Sequence, residues 1–230
     1  MKLVFEGHAC FRLLSGDVEI LVDPFISGNP QCGKSLGEFR PQLILVTHGH
    51  NDHLGDALPI ARAAHATLAA QVDLLNAIPH KGIDTISFNM GGTFRYQHIS
   101  VTMVPAWHGN CINTEAGYVN AGLAAGYIID DSRFRVYHAG DTCLFGDMAT
   151  VISRYDLDCA LLPIGDFYTM GVKDAVTAAS WLRARTVIPM HYDTFPVISQ
   201  DAEAFRQQVE DRTECRCVGL QPGESLELQR

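Results

Sequence analysis

Residues 43–53 decide the fold, and they read Leu-Ile-Leu-Val-Thr-His-Gly-His-Asn-Asp-His. The first five residues form a short apolar run, which is typical of a strand buried on both faces. The last six place three imidazoles and one carboxylate close together, and these groups are common protein ligands of divalent ions such as Zn²⁺. The stretch therefore predicts a buried strand that ends in a metal-binding loop.

The spacing within this loop divides the ligands between two cations. In an extended segment, residues two positions apart face the same side, so His48 and His50 can reach one ion. A turn after His50 would then aim Asp52 and His53 at a neighbouring ion. We expect Gly49, which has no side chain, to leave space for the approach of the cation.

Three further side chains of the same chemistry follow other apolar runs, namely His108, Asp141 and His191. Ligand sites in α/β sheets lie outside the carboxyl ends of strands, where loops converge while the sheet holds them rigid. We therefore expect these three residues to complete the coordination that the loop begins.

Short apolar runs recur along the chain, and helical patterns separate the later ones. The expected strands cover residues 3–5, 10–14, 19–22, 43–47, 100–104, 123–129, 134–138, 159–164, 187–190 and 215–218. The expected helices cover residues 57–64, 71–77, 145–153, 173–182 and 201–209. This order predicts an α/β fold with two sheets packed face to face and helices outside, a four-layer αββα sandwich. Without a convincing boundary or repeat, we expect one domain over residues 1–230.

Composition narrows the class of protein. With 47% hydrophobic and 19% charged residues, the chain is globular and is neither disordered nor fibrous. Its 17 basic and 26 acidic residues, without a basic cluster, argue against nucleic acid as a partner. The sequence contains no membrane-spanning apolar stretch, Glu6 comes too early for a signal-peptide core, and seven cysteines lack a disulfide framework. We expect no membrane partner and a cytoplasmic location.

The ligands, taken in order, resemble the signature of the metallo-β-lactamase superfamily: Asp, then H-x-H-x-D-H, then His, Asp and His. The matching positions are Asp23, residues 48–53, His108, Asp141 and His191. Other segments, including Gly-His-Ala-Cys-Phe at 7–11 and Ile-Pro-Met-His-Tyr at 188–192, resemble a small bacterial and archaeal family of metal-dependent hydrolases. This family lies near the ascorbate-6-phosphate lactonase branch, and the resemblance covers essentially the whole chain.

The resemblance implies an αββα fold and two divalent metal ions. It implies that the first ion is held by His48, His50 and His108, that the second is held by Asp52, His53 and His191, and that Asp141 bridges the two. Zinc is the leading ion for such ligands, with manganese, nickel and iron as alternatives. Metal-bound hydroxide, oriented by Asp52, would then attack an ester, lactone, amide or small phosphodiester bond of a small-molecule substrate.

Four other residues are candidates for supporting or substrate-binding roles. Asp23 precedes a proline, and we favour a hydrogen bond to the metal-binding loop over simple turn chemistry. His8 either points into the pocket or serves the structure. Tyr168 and Tyr192 are candidate donors to an oxyanion, with packing in the pocket wall as the alternative. We expect His138, in contrast, to be a hydrogen-bonded core residue.

Two other functions remain open at this point. One is an iron-dependent redox enzyme of the dioxygenase type on the same fold, and the other is a non-catalytic metal-binding or sensor protein. Self-association into a homo-oligomer is also left open.

Overall fold

The computed structural model describes residues 1–229. In chain order, the strands are β1 (Lys2–Gly7), β2 (Cys10–Ser15), β3 (Val18–Val22), β4 (Leu43–Leu45), β5 (Thr67–Gln71), β6 (Thr85–Phe88), β7 (Thr93–Tyr96), β8 (Ile99–Pro105), β9 (Cys111–Thr114), β10 (Gly117–Asn120), β11 (Ala125–Asp130), β12 (Arg135–His138), β13 (Cys159–Pro163), β14 (Thr186–Met190), β15 (Arg216–Cys217) and β16 (Ser225–Glu227). The helices are α1 (Asn51–Leu54), α2 (Ala57–Ala64), α3 (Val72–Ala77), α4 (Asp147–Thr150), α5 (Val172–Leu182) and α6 (Ala202–Arg212), with 3₁₀ turns at Leu36–Glu38, Ile152–Tyr155 and Pro196–Ile198. Within residues 1–229, no helix has the length and apolarity needed to cross a membrane.

The strands form two seven-stranded sheets and a separate hairpin of β9 and β10. The first sheet has the order β16-β1-β2-β3-β4-β5-β6, and the second has the order β15-β14-β13-β12-β11-β8-β7. Each sheet is antiparallel on one side and parallel on the other, where β3 to β6 and β12 to β15 run in the same direction. Together with the flanking helices, this arrangement confirms the predicted αββα sandwich.

Two apolar clusters hold the layers together. The larger one joins the sheets, with Leu13 and Ile20 from the first and Val101 and Ile129 from the second, and it continues to α5 and α6. The smaller one lies between the first sheet and helices α2 and α3. In α2 the buried residues are Ala57, Ile60 and Ala61, at the three- and four-residue spacing of one helix face.

Several predicted boundaries are wrong, and some strands were not predicted. The predicted strand 43–47 ends at Leu45, because the Thr47 amide donates to the Asp23 carboxylate rather than to a neighbouring strand. The helix predicted over 145–153 is the single turn α4 followed by a 3₁₀ turn. The sequence analysis missed β5, β6, β7, β9, β10 and β16, most of which are short and half-exposed.

The carboxyl ends of strands from both sheets meet at one edge, and hydrogen bonds tie the sheets together there. The Ala125 amide donates to the Thr47 carbonyl at 3.0 Å, and the His191 amide donates to the His8 carbonyl at 2.7 Å. The phenol of Tyr127, on β11, donates to the carbonyl of Val46 at 2.6 Å. The loop that carries the predicted ligands thus leaves the first sheet at a point fixed to the second.

Replacing Tyr127 by Phe tests this attachment. Tyr127 is fully buried, so the variant leaves the carbonyl of Val46 without this partner in a dry environment. We expect the free energy of unfolding to fall by about 1–3 kcal/mol. Urea denaturation measures the change, and Tyr118→Phe, at a residue 77% exposed, is the matched control. Equal midpoints for the two variants would contradict the proposed role of the bond.

Candidate metal site

The predicted ligands converge at this edge of the sandwich. Within residues 1–229, imidazole and carboxylate atoms form three overlapping groups, and the ligand atoms of each group lie within 4.8 Å of one another. The groups are His48 with His50 and His108; His48 with His53 and Asp141; and His8 with Asp52, His53 and His191. All seven residues predicted as metal ligands belong to these groups, and His8 joins them.

In the first group, three imidazoles face each other through nitrogen atoms. Nε2 of His48 lies 3.0 Å from Nδ1 of His50, and Nε2 of His108 lies 3.3 Å from the same Nδ1. Tetrahedral coordination with Zn–N bonds of 2.0–2.1 Å places two ligand nitrogens about 3.3 Å apart. The other nitrogen of His48 is 3.0 Å from the hydroxyl of Thr47, which leaves Nε2 for the site.

Asp141 lies between the groups. Its Oδ2 is 3.0 Å from Nε2 of His191, 3.6 Å from Nε2 of His108 and 3.9 Å from Nε2 of His48. Its Oδ1 is 3.2 Å from Nε2 of His53. One carboxylate therefore faces imidazoles of both proposed metal positions, as a bridging ligand would.

Four polar atoms of this cluster are buried and make no hydrogen bond of acceptable geometry with any other group of residues 1–229. They are Nε2 of His53, Oδ1 of Asp141 and both ring nitrogens of His191. The approaches of His53 and His191 to Asp141, at 3.2 and 3.0 Å, are therefore close contacts without hydrogen-bond geometry. Unpartnered buried polar atoms are costly, and a cation bound beside Nε2 of His53, Oδ1 of Asp141 and Nε2 of His191 would satisfy these three. The donor set and its orphaned atoms fit divalent metal ions.

The electrostatics of the cluster also suits a cation. Burial lowers the pKa of His48 well below its ordinary value and lowers the pKa of His50 and His108, so these imidazoles are neutral and can donate lone pairs. Burial would also lower the pKa of His53, but Asp141 and Asp23 outweigh it and hold that pKa well above its ordinary value. A proton on His53 thus supplies positive charge where a metal ion would.

Asp23 supports the loop from behind. Its Oδ2 accepts hydrogen bonds of 2.7 Å from Nδ1 of His53 and from the hydroxyl of Thr47, and its Oδ1 accepts the Thr47 amide at 2.8 Å. These bonds fix the orientation of the His53 ring and direct its Nε2 toward Asp141.

His8 connects two residues beside the second proposed metal position. Its Nδ1 lies 2.8 Å from the hydroxyl of Thr194, and its Nε2 lies 3.2 Å from Oδ2 of Asp52. The ring is fully buried, and burial lowers the pKa of His8 to about 4, so the imidazole is neutral at physiological pH. His8 can therefore donate to Asp52 while it accepts from Thr194. Thr194 carries no motif in the sequence that would have identified it.

Three residues of the site adopt left-handed backbone conformations that non-glycine residues rarely use. They are His8, Asp23 and His191, with φ of 57°, 47° and 55°. Each directly follows a strand, and each such conformation costs about 1–3 kcal/mol. The strain turns the chain sharply, so that the side chain enters the site from the end of its strand.

Asn110, directly before the hairpin of β9 and β10, and the hairpin itself hold the metal-binding loop in place, and the sequence analysis did not predict these contacts. The side-chain oxygen of Asn110 accepts the Gly49 amide at 2.8 Å, and its amide group donates to the carbonyls of Ala121 and Leu123. A Cβ atom on Gly49 would lie 2.8 Å from the carbonyl oxygen of Cys111. A glycine at position 49 therefore makes room for the hairpin backbone, a role that the sequence analysis did not foresee.

A cavity of about 360 Å³ opens above the cluster, and its lining combines the metal-site residues with an apolar wall. The lining residues are His50, Asp52, His108, Asp141, Tyr168, His191, Phe195 and Val197. Tyr168 thus lies where the sequence analysis placed it. Tyr192, in contrast, is buried in the core, where burial raises the pKa of its phenol. His138 is also in the core, and its Nε2 contacts the carbonyl of Ala9 at 2.9 Å.

Comparison with known proteins agrees with this geometry. A family model described as the beta-lactamase superfamily domain matches residues 19–192. The chain is 46% identical to a UPF0173 metal-dependent hydrolase of Methanosphaera stadtmanae, over 97% of this chain and 98% of the relative. It is 44% identical to a UPF0173 metal-dependent hydrolase of Archaeoglobus fulgidus over the full length of both. The solved structure of Igni18, a metallo hydrolase from Ignicoccus hospitalis, superposes with a TM-score of 0.89 at 34% identity and covers 99% of both chains.

Replacing Asp23 by Ala tests its support of the site. We expect the affinity for divalent metal to fall by about 10- to 100-fold, because His53 loses the acceptor that orients it. Competition with a chromogenic chelator measures the affinity, and Asp17→Ala, in an exposed turn, is the control. Wild-type metal affinity in a folded Asp23→Ala protein would refute the assignment.

Proposed function

The chain belongs to the metallo-β-lactamase superfamily, among its UPF0173 metal-dependent hydrolases, and we propose that it works with two divalent ions held at the cluster described above. The proposal assigns the first ion to His48, His50 and His108 and the second to Asp52, His53 and His191. Asp141 is shared by both. The position of the Asp141 carboxylate, within 3.0–3.9 Å of imidazoles from both groups, is the observation that carries this assignment.

Two such ions, when bound, supply Lewis acidity that lowers the pKa of water and polarises the bond under attack. The nitrogen and oxygen ligands favour zinc, and manganese, nickel and iron accept the same donors.

Asp52 is the residue we assign to proton transfer. It lines the cavity, and although burial works against its ionised form, the hydrogen bond from His8 holds the pKa of Asp52 below its usual range. Its Oδ2 faces His8 and has a second lone pair that can bind the proposed ion, which leaves Oδ1 to orient the attacking water and accept its proton. His8, held in turn by Thr194, positions the carboxylate.

The substrate we propose is a small molecule with an ester, lactone, amide or small phosphodiester bond. A cavity of about 360 Å³ lies at the lower end of the range for small-molecule pockets, which supports a substrate of modest size. We also propose a cytoplasmic location without nucleic-acid or membrane partners. Seven unpaired cysteines and a formal net charge of −9 support this part of the proposal.

Metal analysis together with two variants tests the function. We expect two metal ions for each chain of natively purified protein, and hydrolysis of at least one member of a panel of esters, lactones, amides and phosphodiesters. Asp52→Ala and His191→Ala should lower kcat by roughly 100-fold or more, because each removes a proposed ligand and Asp52 is also the proposed proton acceptor. Circular dichroism verifies folding, and Asp17→Ala is the control for loss of a carboxylate.

Three results would contradict this function. Near-wild-type turnover by either metal-loaded variant would contradict the role assigned to the replaced residue, Asp52 or His191. Stoichiometric iron with oxygen uptake would indicate a redox enzyme. Fully loaded protein that hydrolyses nothing in the panel would indicate a metal-binding protein without catalysis.

Acid should remove metal and activity together. The proposed ligands bind as neutral imidazoles, and burial lowers the pKa of His48, His50 and His108, so protons compete with the ions at these residues only when the pH falls below the ordinary histidine value of 6.5. We expect metal content and kcat/KM to decline in parallel below about pH 6, measured by elemental analysis after desalting and by initial rates. Activity that persists in metal-free protein would be inconsistent with the proposal.

A further inference from the structure

The cavity above the metal site has two chemically different sides. The floor carries the imidazoles and the carboxylates of Asp52 and Asp141, whereas the wall consists of Tyr168, Phe195 and Val197. Binding sites usually combine an apolar surface with a few polar groups that fix orientation. The wall therefore contacts the part of the substrate that lies away from the reacting bond.

Contacts within the protein hold the residues of the wall in place without a ligand. The amide of Ile198 donates to the carbonyl of Phe195, the amide of Asp193 donates to the carbonyl of Ile198, and Ile198 is buried beneath the loop. The Phe195 ring packs edge-on against the ring of His8, with centroids 5.7 Å apart. Opposite it, the exposed ring of Phe167 packs edge-on against Tyr168, with centroids 4.9 Å apart. A preformed wall costs little ordering on binding.

The charges around the cavity disfavour an anionic group at this wall. Within residues 1–229, none of the residues that line the cavity is Lys or Arg, and two are Asp. Arginines gather elsewhere, as in the cavity near α5 and α6 that Arg183, Arg185 and Arg212 line. A carboxylate or phosphate on the remote part of a substrate would lose its hydration against these apolar side chains and would find no cationic side chain of the wall to pair with.

Two of the large hydrophobic residues exposed within residues 1–229 line this cavity, namely Tyr168 and Val197. Trp107, next to His108, is 66% exposed, and Val197 is 54% exposed. Exposed apolar side chains grouped beside a pocket are typical of a surface that contacts a ligand.

We propose that the part of the substrate remote from the reacting bond is an uncharged apolar group, and that this group lies against the wall of Tyr168, Phe195 and Val197. This inference rests on the proposed hydrolase function and narrows it, since it excludes substrates with a remote anionic group. Contact with the wall contributes binding energy away from the reacting bond and can hold that bond over the metal site.

Linear alkyl hydroxamates test the inference by binding, independently of turnover, because they chelate metal through one end and extend an alkyl chain from the other. Calorimetry on the metal-loaded protein compares acetohydroxamate, butanohydroxamate and hexanohydroxamate. We expect the Kd to fall by roughly fourfold for each methylene that becomes fully buried, and by about tenfold or more across the series. The monohydroxamate of adipic acid, which ends in a carboxylate, should bind at least about tenfold more weakly than hexanohydroxamate.

Val197→Asn tests the wall itself, because it changes polarity with little change in size at an exposed position. We expect it to reduce the gain in affinity from acetohydroxamate to hexanohydroxamate to about twofold or threefold. Val151→Asn, at an exposed valine that does not line the cavity, should keep the full gain. The corresponding p-nitrophenyl esters should show the same pattern in kcat/KM.

The possible failures are distinguishable. A Kd that does not change with chain length, or a carboxylate-ended compound that binds as tightly as hexanohydroxamate, overturns the inference and leaves the two-metal hydrolase intact. If the gain in affinity from acetohydroxamate to hexanohydroxamate is unchanged in Val197→Asn, the assignment of the wall is also overturned. Metal-loaded protein that fails to bind even acetohydroxamate overturns the proposed function, and the inference with it.

Discussion

The carboxylate of Asp141, buried among imidazoles, is the constraint on which the rest of the site depends. An ionised carboxylate removed from water must be compensated by positive charge, or its burial is strongly unfavourable. Here burial works against ionisation, yet His191 and His53 hold the pKa of Asp141 well below its ordinary value. The compensation is incomplete in hydrogen-bonding terms, because Oδ1 of Asp141 and Nε2 of His53 are buried without partners. A bound divalent cation would supply both the charge and the coordination that these atoms lack.

Holding that arrangement requires rigid supports on both sides of the sandwich. The imidazoles and carboxylates come from loops after strands of two different sheets, and a relative shift of the sheets would separate them. Hydrogen bonds across the edge, such as the one from the His191 amide to the His8 carbonyl, prevent such a shift. The left-handed conformations of His8, Asp23 and His191 are maintained for the same reason, since the packed sheets on either side offset their local strain.

What could be predicted from the sequence was the chemistry that is local along the chain. The metal-binding loop at residues 48–53 was predicted because several potential ligands occupy a few adjacent positions. Helix α2 was predicted because its apolar residues repeat at helical spacing. Asn110, Thr194 and Phe195 could not be identified, because ordinary residue types acquire their roles only through contacts across the fold. Asn110 is 61 positions from Gly49, and Thr194 is 186 positions from His8. Strands β6 and β7 were missed because only one face of each is partly buried, which leaves a weak apolar pattern.

The apolar wall and the metal site are parts of one packed unit. The loop that carries Phe195 and Val197 begins within a few residues of His191, and the Phe195 ring contacts His8. His8 packs against the ring of His191 with centroids 4.0 Å apart, and its Nε2 faces Asp52. A ligand that presses on Phe195 therefore acts on the side chain that orients the proposed proton acceptor. Because of this contact, a substitution at Phe195 should affect the position of Asp52 as well as the fit of the substrate that we propose for the wall.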